Sequence, residues 1–190
     1  MRLVLFVLMT IVTLASASVT AYPGMQAQKA EKPQPQSTVD RITILKEPFP
    51  LESVTFENAK GEPVTLEAFE GKVVMINFWA TWCPPCIREI PALKQLDQAV
   101  DNQDFVFLPI SIDKEGKSKV DEFLKQYQLG EFDSYFDPKM QTGNVFPLDI
   151  IPASFILNRK GELVAFARTF IEWDDPKALE LIQGYLADKP

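Results

Sequence analysis

The feature that constrains this chain most is a strand that runs straight into a cysteine pair. Lys72 to Trp79 (KVVMINFW) is β-rich and apolar on both faces apart from Asn77, and the chain then reads Trp82-Cys83-Pro84-Pro85-Cys86. Apolar residues on both faces predict a central strand of a sheet covered on both sides. Pro84 and Pro85 predict a helix start, because their missing N–H groups cost nothing in a first helical turn. That helix turns Ile87, Ile90, Leu93, Leu96 and Val100 inward.

The flanking pattern fills in an α/β domain. Ser53 to Glu57 alternates polar and apolar, Asn58-Ala59-Lys60-Gly61 turns the chain, and Pro63 to Leu66 returns, which predicts a hairpin. Asp104 to Asp113 (DFVFLPISID) reads as the next buried strand. Ser118 with Asp121 three residues on predicts a capping box, followed by a stripe of Val120, Phe123, Leu124 and Tyr127 and a stop at Gly130. A second hairpin is predicted from Ala153–Leu157, the turn 158–161 and Glu162–Arg168. Asp175-Pro176 then caps a last helix with Leu179, Ile182 and Leu186 inward. The order β-β-β-α-β-α-β-β-α, with no internal repeat, predicts one α/β domain with a mixed sheet.

At a strand-to-helix junction the first helical N–H groups are unpaired and the macrodipole adds partial positive charge. A thiolate there is stabilised, so the pKa of Cys83 falls below that of a free thiol. Cys86, one turn into the helix, reaches Cys83 and is less exposed. Cys83 is therefore the outer nucleophile and Cys86 the resolving thiol. A structural staple explains the pair poorly, since positions three apart close little loop entropy. A structural zinc takes four Cys or His ligands, and this chain has 2 Cys and 0 His, so no metal and no cofactor is expected. Ile87 in place of a histidine excludes c-type haem attachment. With 26 acidic against 19 basic residues, a formal charge of −7, nucleic acid is an unsuitable partner.

The first residues predict export. Met1-Arg2 precedes an apolar run from Leu3 to Leu14, and Ala15-Ser16-Ala17 predicts signal-peptide cleavage before Ser18. The alternative is an uncleaved anchor and membrane tether, against which stands a run short of the roughly 20 residues that span a bilayer. Both place the remainder outside the cytoplasm, in the periplasm or on the outer face of the membrane. Residues 18–40, rich in Pro and Gln, predict a flexible linker, and 41–190 the folded domain.

The run Asn77 to Cys86, followed by Arg88-Glu89-Ile90-Pro91-Ala92-Leu93, strongly resembles the TlpA/ResA branch of thioredoxin-fold proteins. Leu66 to Gly71 and Ile151 to Leu157 with Gly161 match it too, so the resemblance covers roughly residues 45–187. It implies a thioredoxin-like fold, a central mixed sheet flanked by helices with an added N-terminal hairpin. It also implies an extracytoplasmic, usually reducing, thiol–disulfide oxidoreductase acting on exported protein disulfides, with electrons from a membrane thiol donor. Ile151-Pro152 aligns with the family's cis-proline, which faces the cysteines and leaves the Ile151 backbone to an extended substrate. With Trp82 as an apolar lip and Pro84 beside it, these form the expected substrate-facing set.

Glu89 lies about 60° around the helix and one turn along from Cys86, where an exposed helix-stabilising glutamate would also fit. The resemblance makes it a proton acceptor or donor, serving Cys86 more than Cys83. Asn77 stands where thioredoxin has a buried aspartate and cannot titrate, so it is expected to be a satisfied buried amide. Trp79 is expected to pack in the core. Dedicated cytochrome c maturation relatives carry an acidic residue after the cis-proline where this chain has Ala153. A disulfide oxidase or isomerase, and a redox-inert module or copper chaperone on the same fold, stand as alternatives.

Overall fold

The computed structural model describes residues 37–100, 103–130 and 132–188, all within the unit Pro35–Pro190. The signal peptide or anchor expected over 1–17, and most of the linker expected over 18–40, lie outside the described residues.

The strands are β1 (Thr43–Phe49), β2 (Thr55–Glu57), β3 (Pro63–Thr65), β4 (Val73–Trp79), β5 (Phe105–Ser111), β6 (Tyr135–Phe136), β7 (Ala153–Leu157) and β8 (Leu163–Ala167). The helices are α1 (Pro84–Val100), α2 (Lys117–Gln126) and α3 (Pro176–Ala187). Among the described residues the strands form one mixed sheet in the order β1-β8-β7-β4-β5-β6-β2-β3. β4 is parallel to β5 and antiparallel to β7. Every residue of β4 is buried, as a strand covered on both faces must be. Val74, Ile76 and Phe78 belong to one buried cluster, which also holds Val120 and Phe123 of α2 and Ile90 of α1. Val73 and Met75 belong to a second cluster with Leu93 and Leu96 of α1 and Ile182 of α3. The period-2 alternation of a strand thus supplies both cores from one segment.

Two strands were not expected. β1 is exposed at all but one position and carries Pro48, so it has no alternation to read. It forms by antiparallel pairing with β8, with a register shift between Ile44 and Phe49. An edge strand tolerates both the proline and the exposure. β6 is two residues long, held parallel to β5 through Ile110↔Tyr135 and Ser111↔Phe136. Residues 37–40, placed in the linker by composition, are folded: Thr38–Arg41 is a 3-10 turn that buries Val39, and Ser37 Oγ donates to Asp175.

The ends of α2 differ from expectation. Gly116, at φ +62°, is the N-cap and no side chain caps the helix, so the Ser118–Asp121 capping box does not form. Ser118 lies inside the first turn and donates to the Glu115 carbonyl, while Asp121 is paired with Lys117. At the other end Gln128 takes the left-handed conformation, φ 52°. The Leu129 N–H bonds the Leu124 carbonyl at 3.1 Å and the Gln128 N–H the Lys125 carbonyl at 3.3 Å, a Schellman closure. The helix has ended before Gly130. The start of α3 follows its sequence, with Asp175 accepting from the Lys177 N–H at 2.9 Å and Pro176 opening the helix.

Candidate active site at the Cys83–Cys86 disulfide

The loop between β4 and α1 is pinned before it reaches the cysteines. Asp113, 1% exposed just past β5, accepts from the Thr81 N–H at 2.9 Å and the Thr81 hydroxyl at 2.7 Å. Ser111 Oγ donates to the same carboxylate at 2.9 Å. β5 lies alongside β4, with Trp79 opposite Ser111, so the strand pairing itself delivers Asp113 to the loop. The Cys83 N–H then closes a turn onto the Ala80 carbonyl at 3.1 Å.

Cys83 and Cys86 are joined as a disulfide with Cα atoms 5.3 Å apart. Both are largely buried, Cys83 at 4% exposure and Cys86 at 1%. α1 opens on Pro84 and Pro85, which have no N–H, so the first backbone donor of the helix is that of Cys86. It points at Cys83 Sγ over 3.3 Å. When the bond is reduced, that donor and the dipole behind it stabilise negative charge on Cys83. Facing this sulfur, the Ile151 carbonyl oxygen lies 3.8 Å from Cys83 Sγ. The Ile151–Pro152 bond is cis and Pro152 is buried. Trp82, 64% exposed, and Pro84 stand on the surface next to Cys83 in the chain. The loop that ends in the cis-proline is tied down by an ion pair from Arg168, just past β8, to Asp149.

Glu89 is not the surface glutamate that its helical position would allow; it is 1% exposed. Its Oε1 accepts from the Ile171 N–H at 2.7 Å, and its Oε2 faces the Asn77 amide Nδ2 at 3.3 Å. Asn77 also donates to Ser154 Oγ at 3.0 Å, so it is a buried amide with partners in β7 and α1. Burial pushes the Glu89 carboxyl up to about 8, against the pull of the Ile171 N–H and the Asn77 amide. The Trp173 indole acts in the same sense, after these two, although its Nε1 has no hydrogen-bond partner among the described residues. Cys86 and Glu89, three apart on α1 and both buried, have Cβ atoms about 5–6 Å apart by helix geometry. Trp79 is fully buried and donates from Nε1 to Ser134 Oγ at 3.1 Å, a packing residue.

A family model described as the AhpC/TSA family matches residues 46–166, a span holding both cysteines, Glu89 and the cis-proline. The chain belongs to the AhpC/TSA family. Two curated relatives are named thiol-disulfide oxidoreductase ResA, in accord with the narrower resemblance to the TlpA/ResA branch. The one from Geobacillus kaustophilus (strain HTA426) is 32% identical over 104 residues, 55% of this chain and 59% of that protein, so the chain spans under two thirds of its length. The one from Bacillus cereus is 28% identical over 163 residues, 86% of each chain. Among solved structures, a thiol:disulfide interchange protein of the thioredoxin family from Chlorobium tepidum TLS superposes with a TM-score of 0.55 at 23% identity, over 74% of this chain and 98% of that one. That likeness carries the thioredoxin-like fold.

In this AhpC/TSA chain several site neighbours had no signal in the sequence. Ser154 and Ile171 reach Glu89 or its partner from β7 and from the segment between β8 and α3, 65 or more residues away in the chain. Asp113 was read only as the end of a strand, although an aspartate closing an apolar run beside a candidate active strand is a detectable cue. Among the described residues no helix is long and apolar enough to cross a membrane.

Proposed function

We propose that this chain is a thiol–disulfide oxidoreductase that reduces disulfides of exported proteins outside the cytoplasm, drawing electrons from a membrane thiol donor. The observation that carries the reading is the convergence on Cys83 of the first helical N–H from Cys86 and the Ile151 carbonyl beside a cis-proline, with a buried carboxyl one turn beyond Cys86. The names of the ResA relatives favour the same chemistry.

In the reduced enzyme the Cys83 thiolate attacks a sulfur of the substrate disulfide. A Cys83–substrate bond forms, and the other substrate sulfur leaves as a thiolate that takes a proton from solvent. The substrate lies extended along Ile151, with Trp82 and Pro84 giving it an apolar edge. Glu89, as carboxylate, then accepts the Cys86 proton. The Cys86 thiolate attacks Cys83 Sγ, the intramolecular disulfide forms, and the second substrate sulfur departs as a thiolate. Two electrons pass to the substrate, and the proton from Cys86 rests on Glu89. In the oxidised state a carboxyl raised to about 8 holds that proton at neutral pH. It is then ready for the leaving Cys86 thiolate when a donor thiolate attacks Cys83 and re-reduces the enzyme.

The test is trapping. Cys86→Ser produced in its native compartment should accumulate mixed disulfides through Cys83 with exported proteins, and capture of nothing would end the proposal. The reduction potential against glutathione decides direction: a value near about −120 mV, the strongly oxidising end of the range, would make the chain an oxidase instead.

A further inference from the structure

Glu89 is held by two hydrogen bonds, and the segment that makes one of them carries an unspent donor. The segment between β8 and α3 reaches the carboxyl through the Ile171 N–H and carries Trp173 two residues on. Trp173 is 1% exposed, yet its Nε1 finds no hydrogen-bond acceptor among the described residues. Buried indole N–H groups are normally paired, and an exception calls for a physical reason. The electrostatic influence of this N–H falls on the Glu89 carboxyl.

An ionised carboxylate offers about four acceptor sites. Ile171 and Asn77 occupy two. A protonated carboxyl has less need of a third donor, whereas the carboxylate gains a charge-assisted bond of roughly twice the neutral strength. The ring of Trp173 is buried in one core cluster with Leu93, Ile171 and Ile182, two residues along from the N–H that bonds Glu89.

We propose that Trp173 is a positioning residue for the proton on Glu89, its indole N–H closing onto the carboxylate when Glu89 is ionised and letting go when the proton returns. This rests on the reading of Glu89 as the proton partner of Cys86. The groups that face Glu89 are Asn77 from β4, with Ser154 of β7 behind it, Ile171 and Trp173 from the segment before α3, and Cys86 on its own helix. In the disulfide state none of these bears a charge, so the N–H donors set how readily the carboxyl ionises against burial.

The experiment is a pH titration of the oxidised protein followed by carbon-13 NMR of the Glu89 side-chain carboxyl, assigned with Glu89→Gln. The wild type should titrate near about 8. Trp173→Phe, which keeps a ring and removes the N–H, should raise the midpoint by about one pH unit, a tenfold change in the ionisation constant. An unchanged midpoint in folded Trp173→Phe overturns the proposal. If that variant does not fold, the wild-type indole resonance of Trp173 decides: it should shift with the Glu89 midpoint, and a resonance flat across it overturns the proposal. The two readings fail separately. If Glu89→Gln leaves the pH profile of mixed-disulfide release unchanged, Glu89 is not the proton partner. If it alters that profile while the Trp173 N–H ignores the titration, only the role of Trp173 falls.

Discussion

At the scale of single residues, the division between the two cysteines follows from what each can hydrogen-bond. Cys83 Sγ receives the first N–H that α1 can offer, because two prolines remove the two before it. Cys86 supplies that N–H from its own backbone, and the buried Glu89 carboxyl lies one turn beyond it, the proton route in the proposed mechanism. Glu89→Gln keeps the shape of this carboxyl and removes its basicity. The resolving step, read as release of substrate from the Cys83 mixed disulfide by stopped-flow at pH 7, should slow by about 10²-fold, the lower end of general-base contributions. The first attack by Cys83 should be nearly unaffected. Equal slowing of both steps would mean that Glu89 acts on the site as a whole.

At the scale of elements, β5 pairs with β4 and anchors the loop that leads into α1. Asp113, itself buried, satisfies two donors of the half-buried Thr81 and the hydroxyl of the buried Ser111. Asp113→Ala leaves those donors without an acceptor, at about 1–3 kcal/mol for each group that cannot find water. Denaturant unfolding should show a loss of about 2–4 kcal/mol, and the Thr81 amide should lose protection from hydrogen exchange. A stability loss with the Thr81 amide still protected would place the role of Asp113 elsewhere. The same scale explains the mistaken end of α2. Gly130 is the stop that residue type predicts, but Gln128 accepts the left-handed conformation one residue after Tyr127, where the Leu129 and Gln128 N–H groups close the last carbonyls.

At the scale of the whole molecule, a carboxyl held near about 8 inside the fold makes stability depend on pH. Free in the unfolded chain, Glu89 ionises near 4.5. Between those two values the folded state binds the extra proton, so stability is fullest below pH 4.5 on this account and falls as pH rises towards 8. The full difference is on the order of 5 kcal/mol for this one group. Urea unfolding of the oxidised protein at pH 5 and pH 8 should therefore show a larger loss for the wild type than for Glu89→Gln, whose curve should be flatter. Equal slopes would mean that Glu89 is solvated in solution.

Much of this molecule is legible in local chemistry. The apolar run of β4, the prolines that open α1, the aspartate-proline start of α3 and the inequality of the two cysteines each depend on neighbours within a turn or a strand, and the sequence states those directly. The family resemblance adds the cis-proline opposite Cys83. What lies beyond reach is everything settled by contact between distant segments. β1 has no pattern of its own and exists because β8 offers an open edge. Glu89 read from its helix alone is an exposed glutamate, and it is the packing of α1 against the segment before α3 that buries it and raises its proton affinity. The cysteine pair was therefore marked as a candidate redox site by its own few residues. The surroundings of Glu89 were decided by Ile171, Asn77 and the burial around them, because desolvation is a property of the whole surrounding shell and no short stretch of chain encodes it.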